Sequence, residues 1–537
     1  MKIDRKYYEC ALQHIVNKGD TDIFPFPFEL KFLEARKEKI CDELVKVDLS
    51  QFHPMSLVES LIPKTKYGFR VAHQPFPIDT VIYTALVLRI YDAVEAGRDP
   101  MSNNVAFSYR KKIGLDPEFF HENRAYRDWL ETIGNKVFSD DYSHVVRTDI
   151  SDFYSRIYRH RLENILDSLS GETRFVKKIE HFIADWRSNQ SFGLPIGSSA
   201  SRLLAEAALN DTDLALIAQG YEHTRYVDDI LIYVKKGQDP YAALAFLARH
   251  LSENEGLSLN NQKTSILDWN DFISSMNQSA GEDDESKARS ATERLFWAAY
   301  GQDESDQDAL EALMLKDLSK ELEGLLAENF WDMGQIRIVL HAMRLVRNSD
   351  IANYIRQNLN TLVFFAKDVC LLIEEFVQAG VSGFENLSEE VTELLLSPRM
   401  LPLDCARAWF LELGVRKLVT FNATQIRQLD SLSGTLDVRQ LHLIRWRAND
   451  VSFFRARKTR INEIQSWAQP SFIFGAKCLP RDEYSHWIRS IKSRLQFPLC
   501  KEFADWCLET HGSDPLSDSD TSKVSARTIS TAPGSNF

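Results

Sequence analysis

The sequence predicts a chain of two parts, an α/β region followed by an all-α region. Three observations carry this reading. Between residues 51 and 275, β-rich runs bounded by turn residues are interleaved with apolar helical stretches. From about Leu310 to Thr510, amphipathic helical patterns follow one another across short turns, as at Asp317–Glu328, Met333–Arg347 and Asn360–Phe376. Finally, 537 residues with 44% hydrophobic content provide core for two or three domains rather than one.

The formal net charge of −13 argues against a protein that coats nucleic acid without specificity, although a basic cleft is compatible with it. Seven cysteines lie scattered, with no CxxC pair and an odd count, so neither a disulfide framework nor a zinc site is indicated. That usage fits a reducing cytoplasm. No apolar run approaches the roughly 20 residues needed to cross a bilayer, and the first residues lead into no signal-like apolar segment. The expectation is a cytoplasmic protein with no membrane partner.

Residues 1–50 read as an N-terminal helical arm interrupted at Gly19–Phe28, where prolines and phenylalanines demand an extended path. Leu61–Val71 reads as strand, glycine turn, strand, with Lys64, Lys66 and Arg70 near the tip. Three cations there suit a lid over a triphosphate, and equally an ordinary solvated hairpin. An apolar helix is expected over Asp79–Ala93. The basic run Tyr109–Lys112 can be surface or a grip on a phosphate backbone.

Val145–Tyr154 reads as a strand ending at Asp149 and running into a helix from Ser155 to Ser168. Thr224–Val234 reads as a hairpin holding Asp228 and Asp229 at its tip. Side-by-side carboxylates repel unless a cation sits among them, and if the two strands are sheet neighbours the three aspartates make a metal site. Two Mg²⁺ ions about 3.5–4 Å apart can then support in-line phosphoryl transfer. Tyr154 would stand over the sugar of an incoming nucleotide, or pack as a core tyrosine. Between these segments, Phe192–Glu206 is a Gly/Pro turn feeding Ser198 or Ser199 as the cap of a helix rich in small residues.

In this order and spacing the segments resemble the palm motifs of reverse transcriptases. Asp149 to Tyr154 matches the first carboxylate motif with its sugar-gate aromatic, Leu194-Pro195-Ile196-Gly197 matches LPxG, and Tyr226-Val227-Asp228-Asp229 matches YxDD. The resemblance implies Asp149, Ile150, Asp228 and Asp229 as the metal-holding set for Mg²⁺, with Mn²⁺ as a substitute. It implies Lys64, Arg70, Tyr154, Pro195, Gly197 and Tyr226 as substrate-binding residues. Lys263 matches the lysine that protonates pyrophosphate. One departure stands out: Ile196 occupies a position where most of the wider family has Gln, which puts ordinary processive copying in doubt.

The fold class implied is an α/β reverse-transcriptase fingers and palm over 51–275, followed by an all-α helical-repeat domain over 310–510. An acidic linker at 276–309 and a Ser/Thr-rich tail at 511–537, read as disordered, complete the chain. No basic thumb is evident. A reverse transcriptase core joined to a long helical half is similar to the bacterial abortive-infection (Abi-type) and defence-associated enzymes. That likeness implies antiphage defence, a homo-oligomer of three or six subunits, and use of deoxynucleoside triphosphates to make DNA. Synthesis in that group can be primed on a side-chain hydroxyl, for which Tyr7, Tyr8 and the tail are candidates, or use a non-coding RNA as template. A conventional retron- or intron-type enzyme and a non-enzymatic assembly scaffold remain as alternatives. Arg481 and His486 have the Arg-x4-His form of HEPN ribonucleases, a spacing that also arises by chance.

Overall fold

The computed structural model describes residues 1–121, 126–136, 138–139, 141–187, 190–278 and 317–516. Among them, β1 (Val58–Pro63) and β2 (Phe69–Gln74) form an antiparallel hairpin. The strands β3 (Tyr142–Asp149), β4 (Glu222–Tyr226), β5 (Asp229–Lys235) and β6 (Ser265–Asp268) form an antiparallel sheet in the order β4-β5-β3-β6.

Helices α1 (Arg5–Lys18), α2 (Glu29–Ala35) and α3 (Lys37–Leu44) precede the hairpin, and α4 (Pro77–Gly97) follows it. Proline at the first turn starts α4 without loss of a backbone hydrogen bond, and the helix is apolar on nearly every face, so it is buried along its length. It packs against α1 and against α7 (Arg159–Ser170), α8 (Thr173–Trp186) and α9 (Ser199–Ala208). Helix α5 (Tyr126–Lys136) leads into β3, and the short α6 (Phe153–Arg156) leaves it. The extended backbone of Ile157 and Tyr158 separates α6 from α7, so the single helix expected over 155–168 is two. Helices α10 (Asn210–Ala218), α11 (Pro240–His250) and α12 (Trp269–Gln278) complete this half.

The second half is helical, as expected. It comprises α13 (Leu318–Ala327), α14 (Met333–Val346), α15 (Ser349–Gln357), α16 (Leu359–Leu362), α17 (Ala366–Gln378), α18 (Ser388–Leu396), α19 (Asp404–Val415) and α20 (Ala423–Leu429). Helices α21 (Thr435–Arg447), α22 (Val451–Arg457), α23 (Gln469–Gly475), α24 (Arg481–Ile491) and α25 (Cys500–Glu509) follow. Side-chain caps from Asp317, Asp332, Asn348, Asn422 and Asp450 fix where several of these begin. The helices run from 4 to 14 residues in length. The acidic stretches and most of the tail fall in 279–316 and 517–537, outside the described residues.

The halves are joined through the N-terminal arm. Phe28 packs on Phe474 and Phe503, with ring centroids 5.1 and 6.0 Å away, and the buried pair Glu29–Arg439 closes at 2.7 Å. Trp467 donates to the Ser56 carbonyl at 2.8 Å, and Lys66 at the hairpin tip donates to the Glu328 carbonyl while lying over the Trp331 ring. Lys66 is therefore docked on the helical half rather than free to meet a triphosphate. Truncation of Phe28 to Ala is expected to cost about 3–4 kcal/mol of stability, since it empties an aromatic site shared by both halves. Denaturant titration of the variant checks this, and a loss below about 1 kcal/mol would show that the arm is not part of the core.

Candidate active site

Strand pairing sets the site. β3 runs antiparallel to β5 with Asp149 directly opposite Asp229, and Tyr226 pairs with Asp229 across a two-residue turn made by Val227 and Asp228. Val227 sits at φ +55°, a backbone region that costs a β-branched residue about 1–3 kcal/mol. The turn is pinned by its own amide, which donates to Ser108 Oγ at 2.8 Å, and by its carbonyl, which accepts from Arg225 Nη1 at 3.1 Å. Arg225 is fully buried. It also pairs with Asp213 at 2.8 Å and with Glu206 of α9 at 2.9 Å, and Glu206 in turn meets Arg98 at 2.9 Å. Glu95 joins Arg98 to Arg110 in the same interior network.

Asp149 accepts from Asn260 Nδ2 at 3.0 Å and faces Lys263 Nζ at 3.2 Å, while the Asp149 carbonyl accepts from the Asn260 amide at 2.7 Å. The Ile150 amide donates to the Asp228 carbonyl at 3.3 Å, tying the two aspartate segments together. Burial pushes the Asp228 carboxyl well above the carboxylate range, with repulsion from Asp229 and Asp149 adding to it. Burial, and then Asp149, push Asp229 up to about 7.

One pocket, with roughly 560 Å³ of empty space open to solvent, is lined by Lys64, Arg70, Asp149, Tyr154, Ile196, Asp228, Asp229 and Lys263, among others. Lys64 reaches Asp152 at 3.4 Å, and burial, together with the Arg337 guanidinium, lowers Arg70 to about 10. The Leu194–Gly197 loop is fastened to the first aspartate segment by the Leu194 amide on the Tyr154 carbonyl at 2.9 Å. The Ile196 amide donates to His73 Nδ1 of β2 at 3.3 Å. Pro195 and Gly197 lie in this loop beside the lining residue Ile196. Gly197, at φ +118°, has no room for a Cβ, which would fall 2.3 Å from Thr21 Oγ1. Tyr226 lies beneath the turn, buried among Tyr109, Tyr126 and Trp129.

Among the described residues, no three carboxylate, imidazole or thiolate groups converge closely enough to enclose a cation by themselves. The residues nonetheless fit a divalent ion. Mg²⁺ is commonly held by one or two carboxylates and completed by substrate phosphates. Burial first, and repulsion among the aspartates second, raise the Asp228 and Asp229 carboxyls, and Lys263 only partly offsets this.

Residues 62–287 match the family described as reverse transcriptase (RNA-dependent DNA polymerase). The chain carries a reverse transcriptase domain. The match indicates the activity of an RNA-directed DNA polymerase, a nucleotidyltransferase. The chain is also similar in structure to apo telomerase from Candida tropicalis, at 14% identity and a TM-score of 0.32, over 70% of this chain and 73% of that one. Telomerase from Candida albicans with a TWJ fragment of telomeric RNA matches at 13% identity and a TM-score of 0.31, over 69% and 66% of the two chains. No curated protein matches the chain in sequence.

Several expectations are corrected. Tyr8 is fully buried in α1, where burial raises its hydroxyl's pKa, so it cannot present a priming oxygen. Tyr7 is half-buried on the same helix beneath Arg89, and the chain start is not flexible, since Ile3 is buried and the Leu49 amide donates to the Met1 carbonyl. Arg110 and Lys111 are interior ion-pair members with Glu95 and Asp92, which excludes a backbone-gripping role. Arg481 and His486 both lie on α24, and five residues on a helix places them about 140° apart, so they do not face a common substrate. Asn260 was missed, because an Asn in a polar turn carries no signal until the fold sets it against Asp149.

The raised Asp229 carboxyl gives a signed pH dependence for the metal-free domain. The penalty is absent where the group is protonated in folded and unfolded chains alike, and it grows as pH rises from the ordinary carboxylate range through 7. Asp229→Asn is expected to raise Tm more at pH 8 than at pH 5, as read by thermal denaturation in chelator. An equal gain at both values would show that the Asp229 carboxyl is not raised.

Proposed function

We propose that the reverse transcriptase domain is a divalent-metal-dependent DNA polymerase acting in antiphage defence, with the helical half in the place of a thumb. The observation that carries the chemistry is the shared pocket of Lys64, Arg70, Asp149, Tyr154, Asp228, Asp229 and Lys263. The defence role is supported by the likeness of the motifs and of the two-part layout to Abi-type enzymes. A cytoplasmic homo-oligomer, trimer or hexamer, belongs to the same reading.

Asp149 and Asp228, with the Ile150 carbonyl and the charge of Asp229, would hold Mg²⁺ or Mn²⁺. The bound ions supply activation of the 3′ hydroxyl and neutralisation of the pyrophosphate. Asn260 orients the Asp149 carboxylate. Lys64 and Arg70 hold the triphosphate oxygens by charge-assisted hydrogen bonds. The 3′ oxygen, its proton released to solvent, bonds to the α-phosphorus as the bond to the bridging oxygen breaks, and Lys263 gives a proton to the departing pyrophosphate. Tyr154 underlies the sugar and excludes a 2′-hydroxyl by volume.

A second reading, synthesis without a conventional template and primer, is favoured by Ile196, which lines the pocket with an apolar side chain instead of an amide. The burial of Tyr8 means that any protein primer is a different hydroxyl.

Purified protein incubated with Mg²⁺ and each labelled deoxynucleotide, with and without an RNA template and annealed primer, separates the two readings. Label attached to protein and released as DNA by protease supports self-primed synthesis, whereas incorporation only with template and primer supports a conventional enzyme. Asp228→Ala is expected to lower incorporation by about 100-fold or more. Absence of incorporation under every condition would overturn the proposal.

A further inference from the structure

The N-terminal arm lies between the Gly197 loop and the helical half and bonds to both. On the loop side, Thr21 fills the space that a side chain at Gly197 would need, and Asp22 Oδ2 accepts from Arg202 Nη2 of α9 at 2.5 Å. Both partners are largely buried, with side-chain exposures of 12% and 7%. Burial works to raise the Asp22 carboxyl, but Arg202 and Lys367 hold it below its ordinary value. On the other side, Lys367 of α17 donates to the Asp22 carbonyl at 2.6 Å, and Trp409 of α19 donates to the Ile23 carbonyl at 2.8 Å. The Arg202 guanidinium lies over the Tyr109 ring at 5.1 Å, and that ring neighbours Tyr226 of the YxDD turn.

A buried guanidinium stripped of its carboxylate is costly, so Arg202 stays where Asp22 is. Asp22, in turn, stays where Lys367 and Trp409 hold its backbone. The start of α9 and the loop before it therefore take their placement from residues that never touch a nucleotide. Because Ile196 walls the pocket, a displacement of about 1 Å there is enough to weaken nucleotide positioning.

We infer that Asp22 is a positioning residue of the polymerase site, and that the helical half, through Lys367 and Trp409, sets the placement of the Ile196–Gly197 loop by way of the N-terminal arm. This rests on the polymerase reading above. It assigns the helical half an indirect part in nucleotide positioning, delivered through the N-terminal arm.

Lys367→Met removes one donor while keeping length and apolar bulk, and Lys367→Arg restores a donor. Hydrogen exchange of the amides from Leu194 to Arg202 is compared among the three proteins, alongside β5 amides as an internal control and Tm as a global one. Steady-state incorporation gives KM for deoxynucleotide and kcat separately. The expected result is faster exchange over 194–202 only, a KM raised about fivefold with kcat within about twofold, and near wild-type behaviour for Lys367→Arg. Unchanged exchange, faster exchange with unchanged KM, or a fall in kcat that simply tracks Tm would each overturn the inference. A wild-type protein that incorporates no nucleotide overturns the polymerase reading instead, and the exchange comparison then decides the arm's hold on the loop by itself.

Discussion

The buried guanidinium of Arg225 is the fixed point of the catalytic half. It holds the carbonyl of a strained Val227, and its charge is met by Asp213 and Glu206, while Glu206 also meets Arg98. Three arginines, 98, 110 and 225, interlock with the carboxylates of Glu95, Glu206 and Asp213 in the buried interior. Such a network adds little net stability, because desolvation consumes much of the attraction, but each member penalises any arrangement that leaves another unpaired. Its effect here is geometric. The turn keeps two mutually repelling carboxylates close to a third while the energy that opposes this is absorbed a layer below.

An overall charge of −13 is compatible with a site for polyphosphate because the cations are placed rather than abundant. Lys64, Arg70 and Lys263 face the pocket, whereas Arg110, Lys111 and Lys66 are engaged elsewhere, two in the interior and one against the helical half. A run of basic residues in the sequence is thus a poor guide to where positive potential appears.

That distinction explains which parts of the architecture could be read in advance. A strand ending in Asp149 and a hairpin with Asp228 and Asp229 at its tip are local patterns, and the antiparallel pairing that brings them together follows from two apolar strands seeking neighbours. The long apolar α4 and the helical second half are equally local signals. What could not be read are relations between distant residues: Asn260 against Asp149, Lys66 on the Glu328 carbonyl, the full burial of Tyr8, and the Arg225 network. The break at Ile157–Tyr158 was likewise hidden, since both residues fit a helical pattern until the Gly193 amide claims the Ile157 carbonyl.

The arm carries a consequence for how the protein comes into being. Residues 22–36 leave the ribosome well ahead of their partners Lys367, Trp409, Arg439, Phe503 and Glu509. Contacts of such sequence separation close last and slowly. Until then the loop at Gly197 lacks its backing. A nascent chain thus contains Asp149, Asp228 and Asp229 well before it contains Lys367 and Trp409, the residues of the helical half that hold the arm behind the Gly197 loop.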